Sequence, residues 1–554
     1  MRATTHPKEN QVHYPADRRF RIRIDRRFLV AFACLAILPV VAAWVQYLMA
    51  GLPAVADPTL ATGQTAAGPF PGWLRLAHYV NFLFLVLLAR AGISILMDHP
   101  RLYWNDDCTP GTEWLRFTPI DVPRNRVWTA KDDARYISPW LGLPGYRHTV
   151  GVARHWHLSS AMLWVVNGAI FIALLLGTSE WRRLVPTTWT VVPDAWAVFV
   201  HYITLHIPPE PDPLVRYNGL QQLSYFGVVF LMAPLSIMTG LAMSPAIDNR
   251  FRWYPRLFGG RQAARSIHYL LLVGYTLFLI AHVTMVAIVD PLRNMNDIVF
   301  GQNDGSALGL VIGLLAIALV AGVAYVAHWM SWNRPRIMQY AVRHMHAVMR
   351  WIIFKHWHTR PEYPKEDISP YFWPNGKMPT SPEWKALAAE DFREFRMPVT
   401  GMVRNPVELS MADLKAMGKR EQITLHHCIQ GWSGVAQWGG LPLGRLIELV
   451  KPMPEARFVV FKSFGDGLYG GEYYDTQPMA VALQADTILA WEMNYASLPE
   501  LYGAPLRLRV ESQLGYKMVK WIKSIEFVAS VKTVGAGHGG KNEDDEYFDL
   551  IPEI

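Results

Sequence analysis

Six stretches of the chain stay apolar over about the thickness of a bilayer: Phe28–Met49, Leu74–Met97, Trp156–Leu176, Leu220–Met243, Ile267–Val289 and Ala307–Met330. A helix needs ~20 apolar residues to cross the hydrocarbon core, so each stretch predicts a spanning helix. After Trp332 no such run returns. The pattern becomes a Pro-rich linker, Pro361 to Pro382, and then short alternating or apolar runs broken by glycine turns, such as Arg457–Phe461 and Ile488–Met493. Such runs predict strands. The expected fold class is an α-helical membrane bundle of six helices followed by a soluble α+β domain. The expected boundaries are a basic N-terminal segment at 1–27, the membrane domain at 28–332, an amphipathic basic segment and linker at 333–364, the soluble domain at 365–533 and a flexible glycine-rich tail at 534–554.

Loop charges orient the bundle. "DRRFRIRIDRR" precedes the first span, whereas the next loop, Gly51 to Gly72, has no Lys or Arg. The following connection is rich in arginine from Arg101 to Arg154, the one after next carries Arg250, Arg252, Arg256, Arg261 and Arg265, and the alternate loops are sparse in cations. The positive-inside rule then places both termini in the cytoplasm of a bacterial inner-membrane protein. "DRRFLV" is close to a twin-arginine signal. However, the apolar run behind it is long for a signal peptide and lacks an A-x-A cleavage site, so a span with basic flanks is expected.

Composition supports this picture. The chain of 554 residues is 51% hydrophobic, only 18% charged and holds 22 tryptophans, which fits membrane segments with aromatic belts. The net charge of +8 follows the loops, so no nucleic-acid partner is expected. Three scattered cysteines, Cys34, Cys108 and Cys428, allow neither a disulfide framework nor a paired-Cys zinc motif; Cys34 and Cys108 are expected to be structural.

Histidines inside spans are costly and so point to function. His268 and His282 lie fourteen residues apart in the fifth span. That spacing is about 40° short of four turns, so both share one face, about 21 Å apart along the axis. His157 matches the inner depth on the third span and His78 the outer depth on the second, pairing His157 with His268 and His78 with His282. A lone membrane histidine is more often a packing residue, but four at matched depths suit two haems, each with two axial nitrogens. His155 is an alternative to His157 at the membrane edge, His201 and His206 read as surface residues, and Arg90 either meets a haem propionate or snorkels. "HWHLSSA", "GLAMSPA" and "LFGGRQAARSIH" resemble the dihaem cytochrome b subunits of thiosulfate reductase, formate dehydrogenase and Ni,Fe-hydrogenase over residues 70–332. The resemblance implies two b haems and exchange of electrons with a quinone or other membrane carrier.

Cys428 stands in "TLHHCIQGWSG". A Cys/His nucleophile is disfavoured because His427 is adjacent and neighbours on a strand face opposite ways. Zinc is disfavoured for want of further ligands; a buried core thiol remains the ordinary alternative. "PVTGMVRNPVELSMADL", "ITLHHCIQGWSGVAQWGGLPLGRLI" and "GAPLRLRVESQLGYKMVKWIKSIEF" resemble the molybdopterin domain of the sulfite oxidase family over residues 365–533. The resemblance implies that Cys428 binds molybdenum through its thiolate, a soft ligand suited to a redox metal. It further implies that Phe372, Asn375, Ser463, Arg507, Gly515, Lys517 and Lys520 contact the pterin cofactor, with Tyr474 and, less directly, Tyr473 at the substrate pocket. "IQGWSG" lacks the arginines of sulfite-binding relatives, and Tyr502 stands where the sulfoxide reductases carry an asparagine.

The expected protein is therefore a membrane-bound molybdenum-dependent oxidoreductase. It would transfer an oxygen atom to or from a small substrate and pass electrons through two b haems, with its soluble domain in the cytoplasm. The rival readings are a dihaem cytochrome with a non-catalytic docking domain, and a transporter whose histidines relay protons.

Overall fold

The computed structural model describes residues 20–56, 68–123, 128–145, 150–208, 212–214, 216–341 and 362–554. Most of the expected basic segments at 1–27 and 333–364 lies outside these residues. Six helices are long and apolar enough to span: α1 (Arg26–Ala50), α2 (Gly72–Asp98), α3 (Val150–Gly177), α4 (Gly219–Ala242), α5 (Arg261–Ile288) and α6 (Leu308–Asn333). Each overlaps one expected run, and α3 and α5 start about six residues earlier than the apolar pattern. Leu35, Leu48, Leu163, Leu277 and Leu315 stand exposed on their outer faces. Apolar side chains ringing a bundle in this way need lipid around them, and the chain is a multi-pass membrane protein. Helix α4 contains a six-residue π-helical segment, Gly227–Met232, just ahead of Pro234. A proline lacks the N–H that would continue the regular ladder, and the local register loosens there.

The C-terminal domain is built on ten strands. Here β1 is Arg396–Gly401, β2 Val407–Ser410, β3 Arg420–His427, β4 Ser433–Pro442, β5 Phe458–Asp466, β6 Glu472–Pro478, β7 Ile488–Met493, β8 Ala496–Ser497, β9 Arg507–Arg509 and β10 Ile522–Val528. One sheet runs β8-β7-β4-β3 with β9 paired to β7, and the other runs β2-β1-β10-β5-β6. Their apolar faces, with Val459, Phe461, Ile525, Phe527, Leu441 and Leu489, share one core. Antiparallel pairing of β3 with β4 sets His427 opposite Ser433, so Cys428 opens the tight turn between them. The segment after residue 361 runs beside this hairpin, with Tyr363 N–H bonded to Ile423 O and Ser369 N–H to Val435 O.

The C-terminal domain docks on the end of the bundle where α2 finishes and α3 and α5 begin, the end that bears the basic loops. The tail after Thr533 departs from expectation: it folds back as a strap across both domains. Phe548 is buried against Val150, Ile429 and Tyr516. The Gln339 amide donates to Phe548 O at 2.6 Å, Arg336 donates to Asp544 O at 3.0 Å, and Tyr516 Oη donates to Asp549 O at 2.6 Å. Glycine content suggested flexibility, but the buried phenylalanine and acidic residues of "NEDDEYFDL" have partners the local pattern cannot reveal.

Candidate functional site

The Cys428 turn, the 372–377 segment and the loops after β5 and β9 enclose a cavity with about 940 Å³ of non-atom space, solvent at its mouth included. Cys428, Phe372, Asn375, Ser463, Arg507, Gly515 and Lys520 all line it, so seven residues scattered over more than a hundred positions converge there. Cys428 is 3% exposed. Burial pushes its thiol up to about 12, while the Gln430 backbone N–H and the Asn375 amide donate toward the sulfur. An untitrated thiol of this kind is a poor nucleophile by itself but loses its proton to a bound metal.

Strand alternation sorts the two histidines. His427 turns away from the cavity, to Asn249 Oδ1 at 3.1 Å on the membrane domain. His426 turns into the cavity, and its Nδ1 faces Arg509 Nη1 at 3.0 Å. Burial and then the nearby Arg509 and Arg507 hold His426 well below its ordinary value, so it is neutral. A Cβ on Gly515 would collide with the His426 ring, which is why that position accepts only glycine.

On the cavity wall buried Arg507 and half-buried Lys520 form no ion pair with a carboxylate among the described residues; Asp466 also lines the wall, and Glu511 favours the Arg507 charge from nearby. Lys520 Nζ donates to the carbonyl oxygens of Asn375 and Leu501, and Arg507 Nη1 to Tyr502 O at 3.0 Å. The Arg507 Nε has no hydrogen-bond partner among the described residues. Burial first, and then mutual repulsion, pushes Lys520 well below the ordinary lysine value, while burial and Arg509 push Arg507 down. Unpaired buried cations are costly unless an anion joins them. A dianionic phosphate would supply that anion, and the thiol, the cations and the cavity together fit a molybdenum-bearing pterin. Ser463 contributes indirectly: its hydroxyl donates to Lys520 O at 2.7 Å and holds that backbone in place. Tyr502 Oη donates to Phe372 O at 2.7 Å, and the tyrosine stays on the cavity wall.

Two expected site residues lie elsewhere. The Lys517 side chain is fully buried in an ion cluster with Asp475 and with Glu543, the latter at 2.6 Å, and is not on the cavity wall. Its ammonium ties the tail to β6; burial opposes the charge, but the two carboxylates overcome it and raise the pKa. Tyr474 likewise points to the tail, donating to Asp544 Oδ2, whereas its neighbour Tyr473 faces the cavity. Alternation along β6 explains the exchange. Lys517→Met should lower stability by about 3–5 kcal/mol because it strands two buried carboxylates. Thermal denaturation of the solubilised chain should show the full loss above about pH 8, where both carboxylates are charged, and a smaller one below about pH 6, once burial has led Glu543 (about 8) and then Asp475 (about 6) to take up protons.

Among the wall residues that sequence reasoning missed are His426, Lys131 and Asn542. Alternation from Cys428 could have found His426. Lys131, from the loop between α2 and α3, and Asn542, from the tail, give no local signal.

In the membrane domain the expected pairs meet. The rings of His157 and His268 have centroids 6.2 Å apart, and so do those of His78 and His282. Two imidazole nitrogens at about 2 Å from one shared metal put the ring centres about 6 Å apart. His157 Nδ1 faces Leu88 O at 3.2 Å and His268 Nδ1 faces Thr239 Oγ1 at 3.0 Å, and neither Nε2 atom has a hydrogen bond among the described residues. Such outer hydrogen bonds fix a ligating imidazole in one tautomer. His155 instead contacts Asp549 of the tail at 3.3 Å. Arg90 caps the carbonyl oxygens of Ala324 and Pro139 at 2.9 and 2.6 Å, a role foreseen neither by a propionate contact nor by snorkelling.

Residues 69–301 match the family described as prokaryotic cytochrome b561, and residues 385–534 match the oxidoreductase molybdopterin binding domain. A protein-methionine-sulfoxide reductase catalytic subunit of Campylobacter jejuni is 34% identical over 146 residues, covering 24% of this chain and 49% of its own. The subunit of the same name from Xanthomonas campestris is 33% identical over 175 residues, covering 29% and 54%. This chain thus spans about half the length of the curated relatives it matches. The solved sulfane dehydrogenase SoxCD of Paracoccus pantotrophus aligns with 25% of this chain and 40% of its own, at 20% identity and a TM-score of 0.23.

Proposed function

In a chain that joins a prokaryotic cytochrome b561 membrane domain to a molybdopterin-binding oxidoreductase domain, we propose an enzyme that removes an oxygen atom from a sulfoxide with electrons drawn from a membrane quinol. The observation that carries the reading is one cavity that brings Cys428 together with buried Arg507 and half-buried Lys520, neither of them ion-paired to a carboxylate among the described residues. When bound, the molybdenum centre supplies two-electron oxygen-atom chemistry, and the haems supply one-electron carriage. Cys428 holds the metal through its thiolate. Arg507 and Lys520 hold the cofactor's phosphate and pterin, and Asn375 orients the sulfur. His426, Tyr473 and Tyr502 form the polar wall against which substrate is positioned. The four span histidines, as two pairs, hold two b haems. The balance is one sulfoxide, two electrons and two protons giving one thioether and one water, with the quinol oxidised to quinone.

The names of the relatives support a sulfoxide as substrate, and the uncharged "IQGWSG" supports a neutral substrate over sulfite. The basic loops share the docking end with the C-terminal domain, which supports a cytoplasmic site in an inner-membrane protein. The purified, detergent-solubilised chain should contain about one molybdenum and two haem irons. It should reduce methionine sulfoxide or dimethyl sulfoxide with a quinol analogue as donor. Haem iron without molybdenum would leave a cytochrome with a docking domain. Both metals without sulfoxide turnover would move the substrate elsewhere.

A further inference from the structure

Three consecutive residues behind the cysteine are each gripped by a different helix of the membrane domain. Ile429 O accepts from Arg154 Nη1 of α3 at 3.5 Å. Gln430 Nε2 donates to Asp98 O, the end of α2, at 3.2 Å. Gly431 O accepts from Arg261 Nη1 and Gln262 Nε2 of α5 at 3.0 and 3.1 Å. These are the helices around the inner histidine pair. Arg154 precedes His157 by three residues and Gln262 precedes His268 by six, about 4.5 and 9 Å along their axes. Asp98 follows Gly92 by six residues, and a Cβ on Gly92 would sit 3.3 Å from His157 Cε1, so α2 backs directly on that ring.

The outer pair is about 21 Å farther along the α5 axis. Gln430 is 1% exposed and joins the two sides, because its backbone N–H points to the Cys428 sulfur while its side chain bonds α2.

Building on the function proposed above, we propose that this grip makes the His157–His268 pair the electron partner of the Cys428 centre, with Gln430 as the positioning residue of the junction. Two electrons cross the junction singly for each sulfoxide reduced, and the His78–His282 pair is left to meet the quinol, which releases two protons on oxidation. Because one polypeptide supplies both sides, transfer is intramolecular and does not wait on an encounter between two proteins.

The test uses the full solubilised chain with its haems pre-reduced and mixed rapidly with methionine sulfoxide while haem absorbance is followed. Wild type should show haem oxidation at a rate independent of protein concentration. Gln430→Leu and the isosteric Gln430→Glu, which both lack the side-chain donor, should slow it about tenfold, the scale of lost support behind a metal ligand. Molybdenum content, haem spectrum and haem midpoint potentials should be unchanged. In His282→Ala the surviving haem should still be oxidised by sulfoxide, and in His268→Ala it should not. Wild-type rates in both Gln430 variants would overturn the role of Gln430. Oxidation of the surviving haem in His268→Ala, but not in His282→Ala, would overturn the assignment of the pair even if the Gln430 variants lost molybdenum. A wild-type chain holding both metals whose haems ignore every sulfoxide would overturn the functional reading and this inference with it.

Discussion

Cys428→Ala is expected to purify with its b-type haem absorbance intact and its molybdenum gone. Among the described residues it is the one thiol on the cavity wall, and burial keeps it protonated unless a metal takes the proton's place. Cys108 is no substitute: it is also buried with a raised thiol, but it faces the Ser433 backbone N–H and does not line the cavity. Cys34 lies exposed on α1. The variant removes a small buried side chain and leaves the bundle untouched, so haem should be retained. Metal analysis and the visible spectrum of the same sample read the two outcomes together, and sulfoxide turnover should fall to background. Retention of molybdenum at the wild-type level would remove Cys428 from the site.

His268→Ala and His282→Ala are each expected to cut haem iron from about two to about one per chain, while the double variant should hold none. On the proposed reading each imidazole would supply one of the two nitrogens that hold its haem, and His157 or His78 alone would not replace the one that alanine removes. The two singles should also differ in spectrum, because the His268 pair has hydrogen-bonded Nδ1 atoms on both rings, whereas His282 stacks on Phe278 at 5.6 Å. Such contacts tune ligand basicity and redox potential. Full haem content in both single variants would exclude these histidines as ligands.

Much of this was legible before folding. Spanning helices declare themselves by run length, and the depths of His78, His157, His268 and His282 follow from residue counts along rigid helices. His155, the alternative to His157, contacts Asp549 of the tail, whereas His157 faces His268. Short-range motifs also brought most of the cavity residues together. Lys517 and Tyr474 misled because motif spacing identifies a neighbourhood but not the face from which a side chain leaves the backbone. On β6, Tyr473 and Tyr474 face opposite ways, and only the core shows which side is the cavity. The tail misled because its glycines are local, whereas its partners Gln339 and Val150 lie far away in the chain and Lys517 lies outside the tail's own pattern.

By itself, then, the sequence determined the membrane crossing, the two depths of paired imidazoles and the cysteine-centred β-domain, because hydrophobic length, helical pitch and strand alternation are properties of a few tens of adjacent residues. The tertiary structure alone decided that the domain seats its Cys428 turn on the ends of α2, α3 and α5. It also decided that Arg507 and Lys520 form no ion pair with a carboxylate among the described residues while Lys517 does, and that the tail straps the two halves together. Those outcomes depend on hydrogen bonds and ion pairs that only the folded chain brings together, some between groups hundreds of residues apart, where burial sets which charges must find partners and which are left for a ligand.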